Sequence, residues 1–174
     1  MTWVHILCFA VGGPLLVEVV GYIWHRYVEH KEMLGVGIAH RHWQHHEIEY
    51  DIHHLRTEKY KDANSWTWYV LGAVTSCLGF LVLPVGYAIA IMVGGWLYAW
   101  GLVLQLHTAF HIEGHWLNRF KWFRNLVKAH DIHHYDNCNY GICFFFLDKL
   151  FGTYRADFPP ERRNVFKTLK SSDV

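Results

Sequence analysis

The sequence predicts an all-α integral membrane protein, with about three transmembrane helices and a helical, histidine-rich metal-binding head on the cytoplasmic side. Three observations carry this prediction. The 174 residues are 52% hydrophobic and 17% aromatic with nine Trp, heavy for a soluble domain of this size. Three apolar runs, roughly residues 3–24, 66–83 and 85–106, each approach the 20 or so residues that cross a hydrocarbon core as helix. The 15 His nearly equal the 16 Lys and Arg together, and all but His5 lie outside the apolar runs or at their ends. Residues 1–174 are read as a single membrane-embedded domain.

The first run contains one formally charged residue, Glu18. It lacks a basic n-region and ends in Tyr-Ile-Trp-His rather than in small residues, so no cleavable signal is expected. Residues 65–112 carry no Asp, Glu, Lys or Arg, and Pro84-Val85-Gly86 divides this stretch into a hairpin of two antiparallel runs. Every Lys and Arg lies between Arg26 and Lys61 or between Arg119 and Lys170. With three spans both basic regions fall on one side, which the positive-inside rule makes cytoplasmic, with the N-terminus outside. Trp3, Trp24, Trp66, Trp68 and Trp116 sit at span ends, where an amphipathic ring suits the headgroup level.

The remaining segments are read from composition. A net charge of only +1 provides no basic excess to attract nucleic acid. Residues 116–130, WLNRFKWFRNLVKAH, are accordingly expected to form an interfacial amphipathic helix. Residues 142–151, ICFFFLDKLF, are too short to span and are expected on the surface or over the site. The tail, about 159–174, is polar. Cys8, Cys77, Cys138 and Cys143 form no C-x-x-C pair and read as structural thiols in a reducing compartment. Gly72, Gly79, Gly94, Gly95 and Gly101 are expected to let helices pack closely.

Four histidine spacings recur: His25-x4-His30, His42-x2-His45-His46, His107-x3-His111 and His130-x2-His133-His134. On a helix, positions i, i+3 and i+4 share a face, while neighbours point about 100° apart. Each H-x-x-H-H can therefore send one imidazole to one metal and its neighbour to a second. His25 and His30, at i+5, diverge on a regular helix, so they are expected either to bind different metals or to lie partly outside regular helix. A lone histidine is ordinarily a satisfied core or surface group, and His5, His53, His54 and His115 are read in that way. Ten histidines in paired spacings on one face are not, because their buried nitrogens would leave one another unsatisfied without a cation. Imidazole suits Zn, Cu, Fe and Ni alike. Ten ligands exceed one zinc, and two metals with up to five imidazoles each, no thiolate and almost no carboxylate suit a pair of irons. Zinc can occupy the same ligands in purified protein. A metalloprotease is only weakly supported at His46-Glu47-Ile48-Glu49-Tyr50, which lacks the second histidine of H-E-x-x-H.

The motifs HRYVEH, HWQHH, HTAFH and HDIHH in this order, followed by NYGICFFFLDKLFGTY, resemble the fatty acid hydroxylase and sterol desaturase superfamily of integral-membrane di-iron enzymes. Relatives acting on carotenoids belong to the same superfamily. The resemblance runs from about residue 24 to 154. It implies that His25, His30, His42, His45, His46, His107, His111, His130, His133 and His134 are metal ligands for two irons. It also implies O2-dependent hydroxylation of a lipid, with a fatty acyl or similar chain as the first choice. Desaturation, or hydroxylation of a sterol or carotenoid, are the alternatives on the same scaffold. A non-catalytic membrane metal-binding protein is the alternative from another class. The family's two membrane hairpins are not matched here, so part of the substrate tunnel is either absent or supplied by a second copy in a homo-oligomer. No His-Pro-Gly-Gly haem motif occurs, so electrons are expected from a separate donor protein on the basic face. Glu18, Asp131 and Asn139 are candidates to support the ligands, Asp131, Asp136 and Asn139 also reading as cap or turn residues. His40, His53 and His54 have no place in the family pattern.

Overall fold

The computed structural model describes residues 2–61 and 66–161, apart from the side chains of Trp66 and Thr67. Six helices organise them: α1 (Trp3–Glu29), α2 (Val36–Gln44), α3 (Trp66–Val82), α4 (Val85–Phe110), α5 (Lys121–Tyr135) and α6 (Phe146–Leu150). Among the described residues the one strand-like pairing is a bridge between Thr57 and Ile112. The all-α expectation therefore holds. Helices α1 and α4 are long and apolar enough to cross a membrane, and the apolar part of α3, Trp68–Val82, is shorter. Residues 162–174, most of the expected polar tail, lie outside the described residues.

The apolar run read as 3–24 does not end the helix. Wide turns with i+5 hydrogen bonds, π turns, interrupt α1 at Cys8–Gly12 and Trp24–Glu29, continue α2 at His45–Glu49 and interrupt α4 at Ala99–Val103. Each inserts one extra residue per turn without breaking the backbone ladder.

The chain divides into two compact units, Met1–Gly21 with Ser65–Gln105, and Tyr22–Asn64 with Leu106–Val174. In the first unit α1 and α4 meet backbone to backbone. A Cβ on Gly94 would overlap the Phe9 carbonyl, and one on Gly13 would overlap the backbone of Ile91, Gly94 and Gly95. A Cβ on Gly72 would lie 3.0 Å from the Trp96 ring, whereas Gly79 and Gly101 face open space. Close packing thus explains Gly72, Gly94 and Gly95 but not the other two. Tyr98 donates to Glu18 Oε1 at 2.5 Å, giving this carboxylate in an apolar helix a phenol partner. His5 stacks on Tyr87 with ring centroids 4.4 Å apart, so the stray histidine packs rather than ligates.

In the second unit Leu106, Ala109, Phe110, Phe123 and Val127 form the apolar core. The amphipathic helix starts later than expected. Trp116–Arg119 is a 3-10 turn, and Phe120 takes an extended conformation (φ −94, ψ 132) as the cap of α5. The Arg119 guanidinium lies over the Trp116 and Phe120 rings at 4.8 and 4.7 Å, a cation–π arrangement that holds this corner. After α5 the chain turns back through Asn139, whose φ of 52 is tolerated best by Asn among side chains. Its amide donates to the carbonyls of Ala129 (3.0 Å) and Arg155 (2.9 Å). The buried Asp148 carboxylate accepts from the Tyr140 and Gly141 N–H groups, both at 2.9 Å, and from the Thr153 hydroxyl at 2.7 Å. Segment 142–151 is thereby anchored inward through Asp148, while Leu150 and Phe151 stay exposed.

Overpacking a contact of this kind costs about 1–3 kcal/mol. Gly94→Ala is therefore expected to lower the thermal midpoint of the detergent-solubilised protein, with Gly101→Ala, in open space, leaving it unchanged or slightly raised.

Candidate metal centre

The ten histidines singled out by spacing come together in the second unit. Nine fall into two groups whose ring nitrogens lie within 4.8 Å of one another: His25, His30, His42, His46 and His133, and His45, His111, His130 and His134. His107 stands beside the second group, its ring 4.9 Å from His45, 5.1 Å from His111 and 5.0 Å from His130. Adjacent imidazoles separate as their angular offset requires. His45 joins one group and His46 the other, and His133 and His134 divide in the same way.

The i+5 pair is the exception to regular helix geometry. Five residues at about 100° each would leave His25 and His30 about 140° apart. The π turn Trp24–Glu29, with the His30 N–H donating to the His25 carbonyl at 3.1 Å, stacks the two residues along the axis instead. Their Nε2 atoms are 3.3 Å apart. A second π turn, His45–Glu49, begins at the histidine pair of the second motif, closed by the Tyr50 N–H on the His45 carbonyl at 2.9 Å.

Within the first group Nε2 atoms converge. His25 and His42 are 3.0 Å apart, His30 and His42 2.9 Å, and His30 and His133 3.2 Å. Ligand nitrogens bonded to one metal at 2.0–2.1 Å lie about 2.8–3.4 Å apart for angles between 90° and tetrahedral. The donor set fits a cation. In the second group both ring nitrogens of buried His45, and Nε2 of buried His111 and His134, meet no hydrogen-bond partner. Leaving such a group unsatisfied costs about 1–3 kcal/mol, which a metal on the one bare nitrogen of each ring relieves.

The opposite ring edge is held by backbone. Nδ1–H of His25 donates to the Tyr140 carbonyl (2.7 Å), His133 to Cys138 (2.8 Å), His111 to Leu55 (2.8 Å) and His134 to Tyr50 (3.0 Å). A carbonyl only accepts, so each of these imidazoles keeps its proton on Nδ1 and presents a bare Nε2. Desolvation by burial, with repulsion from neighbouring rings, holds His42, His45, His46, His130, His133 and His134 well below the ordinary histidine value of 6.5. Burial brings His111 down to about 4. These rings are neutral at pH 7, as ligation requires.

Of the supporting residues expected from sequence, Asn139 acts through the turn whose carbonyls hold His25 and His133, while Glu18 and Asp131 have partners other than the histidine rings. Glu18 pairs with Tyr98, Asn139 clamps the turn after α5, and Asp131 forms an ion pair with Arg56 at 2.6 Å. Asp136 stands 3.4 Å from the Arg155 guanidinium. His40 stacks beside Trp43, His53 and His54 are exposed against Asp51, and His115 caps the 3-10 turn. None of these four histidines belongs to either group. Sequence reasoning missed Glu29, fully buried with a carboxylate oxygen 3.7 Å from His42 Nδ1. Its signal was a charge inside HRYVEH, next to a ligand position. The carbonyls of Leu55, Tyr50, Cys138 and Tyr140 carry no signal, because every residue has one.

Compared with known proteins, the chain matches the family described as Fatty acid hydroxylase over residues 10–153. It is 42% identical over 57 residues to a Delta(7)-sterol 5(6)-desaturase of Gibberella zeae, a stretch covering 32% of this chain and 17% of that protein. The chain thus spans less than a fifth of the curated relative it matches. No solved structure matches.

Because His45 and His46 serve different groups, replacing either with Ala is expected to remove one metal and spare the other. Metal analysis of protein from iron-supplemented cells should fall from about two ions per chain to about one in each variant. Loss of both ions in both variants would show a single shared site.

Proposed function

This chain belongs to the fatty acid hydroxylase family, and on that premise we propose that it is a membrane-bound di-iron, O2-dependent hydroxylase of a lipid with a fatty acyl or similar chain. The observation that carries the reading is the division of nine buried or half-buried imidazoles into two separate convergent groups, with His107 beside the second. His25, His30, His42, His46 and His133 would hold one iron, and His45, His111, His130 and His134, with His107, the other. Two bound irons supply the activation of O2 that oxidation of an unactivated C–H bond demands.

The chain's own residues prepare that chemistry. Backbone carbonyls of Tyr140, Cys138, Leu55 and Tyr50 hold Nδ1–H and aim Nε2 inward. Burial excludes bulk water and keeps the rings neutral. In this reading α1, α3 and α4 span the bilayer, and the basic regions set the metal centre on the cytoplasmic side. The lipid comes from the bilayer and electrons from a separate donor protein. Hydroxylation and desaturation differ in whether an oxygen atom is inserted or two hydrogens are removed. The stretch shared with a sterol desaturase supports desaturation as the second reading.

Iron-loaded protein, supplied with a reductase and bilayer lipids, is expected to consume O2 only when reductant is present and to yield a lipid with one added oxygen. A product lacking two hydrogens would select the desaturase. Absence of O2 uptake after full iron reconstitution would overturn the catalytic reading and leave a metal-binding protein.

A further inference from the structure

Segment 50–61 wraps the second histidine group. The Tyr50 carbonyl holds His134, the Leu55 carbonyl holds His111, and the Tyr50 ring stacks on the His111 ring at 3.8 Å. The segment is tied to the end of α4 by Thr57 N–H on the His111 carbonyl (2.9 Å) and Glu113 N–H on the Thr57 carbonyl (3.0 Å). Tyr60, near its end, stacks on Tyr50 at 5.8 Å and brings its hydroxyl to 3.4 Å from His107 Nδ1. His107 is also the ligand candidate outside the compact nine.

The chemistry of that contact differs from the others in the site. A carbonyl accepts and nothing else, so the imidazoles held by carbonyls have one tautomer. A phenol both donates and accepts. When the Tyr60 oxygen accepts from Nδ1–H, His107 presents a bare Nε2 to the second group. When the Tyr60 hydroxyl donates to Nδ1, the proton sits on Nε2 and His107 is unable to ligate.

We propose that Tyr60 is a positioning residue that governs whether His107 ligates the second metal, making that metal the more readily exchanged of the two. The inference rests on the two-metal reading above. It assigns the two positions unequal strength: five imidazoles at the first, four plus a switchable fifth at the second.

The test uses the full chain in detergent, titrated with Co2+ alone and followed by metal count under chelator challenge and by the visible d–d absorption of the ion. The proteins are wild type, Tyr60→Phe, His107→Ala and the double variant. Tyr60→Phe keeps the ring that stacks on Tyr50 and removes only the hydroxyl. It is expected to weaken the second Co2+ by about 10–100-fold, leave the first unchanged and alter the absorption of the second. In the His107→Ala background the same substitution is expected to do nothing further. If wild type binds two ions and Tyr60→Phe is indistinguishable from it, the inference fails while the two-metal reading stands. Equal weakening of both ions, or an undiminished effect without His107, would also overturn it. Fewer than two ions in wild type would overturn the reading on which it rests.

Discussion

Imidazole lone pairs that face one another out of reach of water have no partner among themselves, and the second unit is arranged around that condition. Burial keeps the rings neutral, so mutual repulsion of charge is avoided, but His25, His111, His133 and His134, whose Nδ1 protons are already donated, bring only acceptors to the centre. Nitrogens converging at 2.9–3.3 Å, as in the first group, are stable together when a cation lies among them. A metal bound there would couple its own binding to the folding of this unit.

Two devices make the convergence possible. One is the π turn. A regular helix would send His25 and His30 to different sides, and the extra residue in Trp24–Glu29 brings them onto one. The other is the division of backbone acceptors between two segments. The turn after α5 presents the Cys138 and Tyr140 carbonyls to the first group, while segment 50–61 presents the Tyr50 and Leu55 carbonyls to the second. Asn139 within that turn and Asp148 from α6, and the Thr57–Ile112 bridge in segment 50–61, keep those carbonyls in place.

The first unit follows a different logic. Its contact faces carry few polar groups, so close approach of backbone replaces hydrogen bonding, and Gly13 and Gly94 set how near α1 and α4 come. Among its polar groups, Glu18 pairs with Tyr98 and Trp96 with Ser76. A carboxylate in such surroundings is retained only with a partner.

Period and composition determined much of this protein directly. Apolar runs of helical length imply helices whatever packs on them, and the i, i+3, i+4 spacing of His42, His45 and His46, and of His130, His133 and His134, divides neighbours between two sites by angle alone. Six of the ligand candidates were legible for that reason, and His25 with His30 and His107 with His111 only as paired histidines at the ends of apolar runs. What only the tertiary structure decided depends on contacts between segments distant in sequence. The partner of Glu18 comes from 80 residues away, the carbonyl under His25 from 115, and the phenol beside His107 from 47. The π turns also escape periodicity, since one inserted residue leaves the apolar pattern nearly intact while rotating every side chain that follows. Local pattern reports which face a residue occupies, and only the fold reports what that face meets.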